Sequence, residues 1–358
     1  MIPVCEPYLA GRELEYATDC IKSNWISSGG KYIEEFENKF AAYCGCKYGI
    51  TTTSGTTALH LALVALGIGK GDEVIVPTFT MAACAFAVVY TGAKPVFVDC
   101  ENRTYNIDVS RIKEKITERT KAIMPVHIYG HPCDMLSIMK LAAAYGLYVI
   151  EDAAEAHGAT YNGMVTGSMG AMGCFSFFAN KLISTGEGGM VVTNDKDLAD
   201  RARRLKDLSH SKIRFLHSEV GFNYRMTNIQ AAIGLAQLEK IDEYIEKRRY
   251  HAKLYNELLK DTSLELPIEE LWAKNVYWMY AVLVKDNREA SMAHLKSKGI
   301  DTRTFFVPMH RQPMFVDEGY YPIADDISQR GLYLPSGTGL TNEQIVYICN
   351  TIKEYLCG

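Results

Sequence analysis

A chain of 358 residues with 48% apolar side chains is long enough to bury a large core and to form one large domain beside a smaller one. Its net charge of -4 supplies no basic field for nucleic acid or an anionic membrane, so the expected partners are small molecules rather than either of these. The ten cysteines are scattered, and Cys44 and Cys46 lack a second pair at zinc spacing, which predicts free thiols in a reducing cytoplasm and no metal. The N-terminal residues show neither a basic stretch nor an apolar export segment. No later apolar run reaches the ~20 residues needed to cross a bilayer.

In chain order, Thr53-Ser54-Gly55-Thr56-Thr57-Ala58-Leu59 opens a helix with Leu59, Leu63 and Leu66 on its apolar face. Unbroken β-rich segments follow at 73–77, 95–99, 122–126 and 147–151, as expected of strands buried on both faces. Helical patterns such as 134–145 lie between them, and this alternation predicts an α/β architecture with a mostly parallel sheet. A further strand runs through Phe175-Ser176-Phe177-Phe178 towards Lys181, then Thr185-Gly186-Glu187-Gly188-Gly189 leads into the strand at 190–192. One long helix is expected from Thr227 towards Leu259. The rest reads as a smaller α+β domain, with a strand near 276–284 and helices at 287–298 and 341–356. The division is placed at 1–246 and 247–358. Basic clusters at 201–204 and 247–249 sit among acids in helical segments and read as solvated faces.

Three separated segments supply parts that a pyridoxal-phosphate site requires. Lys181, just past a strand end, is placed to enter a crevice where desolvation lowers its pKa towards the neutral amine that forms a Schiff base. Alternatively, it merely starts a solvated loop. Asp152 ends an apolar strand before Ala153 and Ala154, where a carboxylate keeps a pyridine nitrogen protonated and small residues admit a flat ring. An ordinary helix N-cap is the alternative for Asp152. At 53–59 a helix N-terminus offers free N–H groups and a favourable dipole to a phosphate, or is simply a capped helix.

These segments in this order, followed by Gly221-Phe222-Asn223-Tyr224-Arg225-Met226-Thr227-Asn228, resemble the DegT/DnrJ/EryC1/StrS aminotransferases, the sugar branch of the fold type I pyridoxal-phosphate enzymes. The resemblance spans almost the whole chain. Trp25-Ile26-Ser27-Ser28, the segment 125–132 and Arg330-Gly331-Leu332-Tyr333-Leu334-Pro335-Ser336 extend it to members that form GDP-perosamine. It implies an aspartate-aminotransferase-like fold with a seven-stranded sheet, and a cytoplasmic homodimer with shared active sites serving lipopolysaccharide O-antigen synthesis. Lys181 would carry pyridoxal 5'-phosphate, Asp152 would pair with its ring nitrogen and Glu155 would lie near its ring hydroxyl. Ser54, Gly55, Thr56 and Ser176 would hold the phosphate, and Asn223 would reach the phosphate of the neighbouring subunit's cofactor. Where the family usually stacks an aromatic residue on the ring, this chain has Met81, which weakens that contact.

The implied reaction passes through pyridoxamine 5'-phosphate. L-Glutamate gives up its amino group, and a nucleotide keto sugar receives it at C4. GDP-4-keto-6-deoxy-D-mannose is the expected acceptor, a UDP- or dTDP-linked 4-keto-6-deoxyhexose the alternative. Arg225 is a candidate for the diphosphate, and Trp25, His157 and His310 for other substrate contacts, with His127 also a possible helper. Some relatives are sugar dehydratases with histidine in place of the lysine, and a few are assigned regulatory roles. Lys181 and Asp152 count against both.

Overall fold

The computed structural model describes residues 1–213, 215–285, 287–315 and 319–357. Seven strands form the central sheet: β1 (Tyr48–Thr52), β2 (Glu73–Pro77), β3 (Lys94–Val98), β4 (Thr120–Ile123), β5 (Tyr148–Asp152), β8 (Met172–Ser176) and β9 (Gly189–Thr193). The short β6 (Thr160–Tyr161), β7 (Met164–Val165) and β10 (Ala273–Lys274) make a separate ribbon, and β11 (Tyr280–Leu283), β12 (Arg303–Thr304) and β13 (Gly331–Leu334) a third sheet. The central order is β1-β9-β8-β5-β4-β2-β3, in which only β9 runs against the other six. The expected α/β fold and mostly parallel sheet are therefore present. β2, β8 and β9 are buried along their whole length, which explains why they read as continuous apolar runs rather than as alternations.

Parallel strands put their carboxyl ends along one edge, and loops leaving that edge meet in a crevice. Here β1 delivers Ser54, β2 delivers Thr80 and Met81, β5 ends on Asp152, and β8 ends on Ser176 and leads to Lys181. Residues distant in sequence thus become neighbours. The C-terminal region closes the crevice from the other side, bringing Trp278 and Phe306 to it.

Two expectations need correction. The stretch 227–259 is not one helix but two, Asn228–Leu238 and Ile241–Leu259. No glycine or proline marks the break. It follows from tertiary anchoring of Gln237, which accepts from the Ser184 N–H at 3.2 Å and donates to Tyr8 O at 3.0 Å and Glu13 at 2.6 Å. Arg248, expected on a solvated face, is buried, donating to Trp278 O at 2.6 Å and to the Thr338 hydroxyl at 3.1 Å. Its neighbours Lys247 and Arg249 are only partly exposed, with Arg249 in an ion pair to Glu269 and donating to Asn275 O at 2.6 Å. Among the described residues no helix is long and apolar enough to cross a membrane.

Candidate active site

A cavity of about 290 Å³ opens at the carboxyl edge of the sheet, lined by Ser54, Gly55, Thr56, Met81, Asp152, Glu155, Ser176 and Lys181 among others. Eight residues named from sequence for the cofactor thus face one space. At its floor the helix Gly55–Ala65 begins with Ser54 as N-cap, its hydroxyl accepting from the Thr57 N–H while the Thr57 hydroxyl accepts from the Ser54 N–H. This satisfies the cap but leaves the Gly55 and Thr56 N–H groups without partners among the described residues. Two free donors at the positive end of a helix dipole suit a phosphate. A side chain at position 55 would close the space, since its Cβ would sit 2.7 Å from that of Ser176.

Asp152 is buried, accepting at one oxygen from the Cys84 thiol at 2.8 Å and at the other from the Ala154 N–H at 3.0 Å. No helix starts there, because residues 153–159 form turns. Asp152 therefore caps no helix, and its carboxylate is held at the pocket wall by two donors.

Lys181 follows a turn closed by its own N–H on Phe178 O at 2.9 Å. Its Nζ lies 3.9 Å from the Trp278 ring centre and 3.9 Å from Glu155 Oε1. Burial lowers its pKa below the ordinary lysine range, against the opposing pull of Glu155 and Asp152. Burial likewise pushes Glu155 up to about 7, although the Lys181 charge and the Tyr129 N–H, 2.8 Å away, favour its ionised form. The amine and the carboxyl are close enough for their protonation to be coupled.

Because the folded chain keeps the Glu155 proton to higher pH than the unfolded chain, the associated stability is complete below about 4.5 and is lost as pH rises through about 7. In cofactor-free protein, the melting temperature of the native chain relative to Glu155→Gln should fall between those limits. Parallel pH profiles would show that Glu155 is ionised throughout.

Other residues singled out from sequence do not line this cavity. Trp25 is 60% exposed. His157 is buried against Phe40, Phe175 and Phe177 with neither ring nitrogen bonded among the described residues, and burial lowers its pKa to about 3. His127 bonds Glu151 at 3.0 Å, and His310 lies between Thr78 at 2.7 Å and Asp325 at 3.1 Å. Asn223 is exposed, accepting from Arg225, which also pairs with Asp207 at 2.8 Å. Sequence reasoning missed Trp278, hidden in a run read only as strand, and Cys84, whose apolar neighbours marked it as ordinary core.

The model of the DegT/DnrJ/EryC1/StrS aminotransferase family matches residues 7–353. The chain belongs to this family. GDP-perosamine synthase of Escherichia coli O157:H7 is 50% identical, over 99% of this chain and 98% of that one. GDP-perosamine synthase of Vibrio cholerae is 44% identical over 99% of both. Among solved structures, S. venezuelae DesV in complex with a ketimine intermediate superposes with a TM-score of 0.93 at 36% identity, covering 96% of this chain and 94% of that one. The chain is thus a pyridoxal-phosphate-dependent sugar aminotransferase. The Gly55 and Thr56 donors, unpaired among the described residues, the close approach at Ser176, the buried Asp152 and the partly buried Lys181 fit that cofactor.

Proposed function

We propose that the chain transfers the amino group of L-glutamate to C4 of GDP-4-keto-6-deoxy-D-mannose, giving GDP-perosamine. The supporting observation is full-length identity of 44 to 50% to two proteins of that activity. Pyridoxal phosphate, when bound, supplies the electron sink. The Gly55 and Thr56 N–H groups and the Ser176 hydroxyl would hold its phosphate, Asp152 would pair with its ring nitrogen and Glu155 would serve its ring hydroxyl. Lys181, whose pKa burial lowers, takes the proton from the donor's reacting carbon and delivers one to the acceptor's. Trp278 and Phe306 cover the amine's side of the pocket and limit water there. Buried free thiols at Cys44, Cys84, Cys133 and Cys174 accord with a reducing cytoplasm. Incubation of the cofactor-loaded protein with glutamate and GDP-, UDP- and dTDP-linked 4-keto-6-deoxy sugars should yield a new amino sugar from the GDP substrate. Amination confined to a UDP or dTDP sugar would reassign the acceptor.

The proposal includes a homodimer in which Asn223 serves the partner's site. Asn223 is exposed outside its own pocket, and the nearby surface carries Ile213 and Val220, 65% and 87% exposed. An added amide hydrogen bond to a phosphate is worth roughly 1.5–3 kcal/mol, so loss of Asn223 should loosen the cofactor. Mixing inactive Lys181→Ala protein with an impaired Asn223 variant should partly restore activity, because each mixed dimer carries one site with both defects and one with neither. Confirmed subunit exchange with no gain over the sum of the parents would reject the shared site, as would an active monomer in sedimentation.

A further inference from the structure

A second cavity, of about 450 Å³, adjoins the first and shares Asn180, Trp278 and Phe306 with it. Its outer wall is β12 with the preceding residue: Thr302, Arg303 and Thr304. β12 is the edge strand of its sheet, with Arg303 opposite Tyr333 on β13, so its exposed position is fixed by a ladder rather than by a loose loop. Other guanidinium groups of the C-terminal region are matched: Arg288 pairs with Glu289, Arg311 with Asp325, and Arg330 with Glu265 and Asp326. Arg303 makes no ion pair among the described residues. An unmatched guanidinium beside aromatic walls and two hydroxyl side chains is suited to an oxyanion, which it binds through two parallel hydrogen bonds.

We infer that Arg303 marks a subsite for the anionic end of a substrate whose reacting carbon lies beside Lys181. This inference rests on the aminotransferase reading and assigns a role to a part of the cleft which that reading leaves unused. Arg303 does not line the Lys181 cavity, so its ligand is not a carboxylate one bond from the reacting carbon. The ligand is an oxyanion separated from that carbon by a sugar ring or a short chain. Two substrates carry one: the diphosphate of a nucleotide sugar and the side-chain carboxylate of glutamate.

Arg303→Gln and Arg303→Lys, both at an exposed edge position, are compared with the native cofactor-loaded protein. Calorimetry measures binding of GDP, UDP and dTDP. Loss of the cofactor's visible band measures the donor step with glutamate and with glutamine, which lacks the distal carboxylate. The Gln variant is expected to weaken one class of oxyanion by tenfold or more, and the Lys variant to recover part of it. Weaker nucleotide binding with an unchanged glutamate-to-glutamine ratio identifies the diphosphate. A raised KM for glutamate alone identifies the carboxylate. Native values in the Gln variant for every nucleotide and for glutamate overturn the inference. A native protein that carries out no donor step refutes the aminotransferase reading instead, and the nucleotide measurements still report on Arg303.

Discussion

Replacing Lys181 with alanine should lower turnover by at least about a thousandfold while leaving the fold intact. Lys181 lines a cavity, and among the described residues its one ion pair is with Glu155 at 3.9 Å. A positioned acid–base group contributes typically 10²–10⁴-fold, and here the same amine also attaches the cofactor, so both contributions are lost together. The native protein should be yellow as purified, and borohydride should fix the cofactor covalently on Lys181. Peptide mass mapping decides the matter. A reduced adduct on any other lysine, or a Lys181→Ala protein that turns over normally, would remove Lys181 from the chemistry.

The parts of the site that were legible in the sequence share one property: each is a local pattern with a physical cause. The segment 53–59 reads as a helix start because small hydroxyl residues precede an apolar helical face, and a helix does begin there, with Ser54 as its cap. Asp152 stands out because a carboxylate ending a buried strand must find donors. The donors, Cys84 and Ala154, were not legible, since Cys84 comes from 68 residues earlier in the chain. Trp278 was hidden for the same reason. Its ring, over the Lys181 amine, donates its indole N–H to Asn180 O at 2.8 Å, and its backbone carbonyl accepts from Arg248, in a helix whose basic run looked like solvated surface.

Helix boundaries failed where tertiary contacts overrode a continuous pattern. From Ile229 to Ile241 the apolar spacing never lapses, so periodicity alone joins two helices. The buried Gln237 is the decisive residue, and a single amide within an apolar stripe carries no local sign that three partners from elsewhere will fix it. The sheet shows the same limit. Strand positions follow from buried apolar runs, but the reversal of β9 between β1 and β8 depends on how 177–188 turns back from the sheet edge. That turn is held by Phe177, whose N–H donates to Gly188 O and whose carbonyl accepts from the Thr185 N–H.

The geometry at Asp152 leads to the second large effect. Asparagine at position 152 keeps the shape, since its carbonyl oxygen can still accept from the Ala154 N–H and its amide can turn towards the Cys84 sulfur, a weak acceptor. What it removes is the negative charge that keeps the cofactor's ring nitrogen protonated, and with it the electron sink on which both halves of the reaction depend. Removing one partner of a buried charge pair costs about 3–5 kcal/mol, and each 1.36 kcal/mol on a barrier is tenfold in rate, so Asp152→Asn should lower kcat by roughly a hundredfold or more. Both half-reactions should slow, whereas KM should change less, because the substrate's own contacts are untouched. Thermal melting of the cofactor-free variant should stay close to native, separating lost charge from lost structure. Near-native turnover would show that Asp152 has only a structural role.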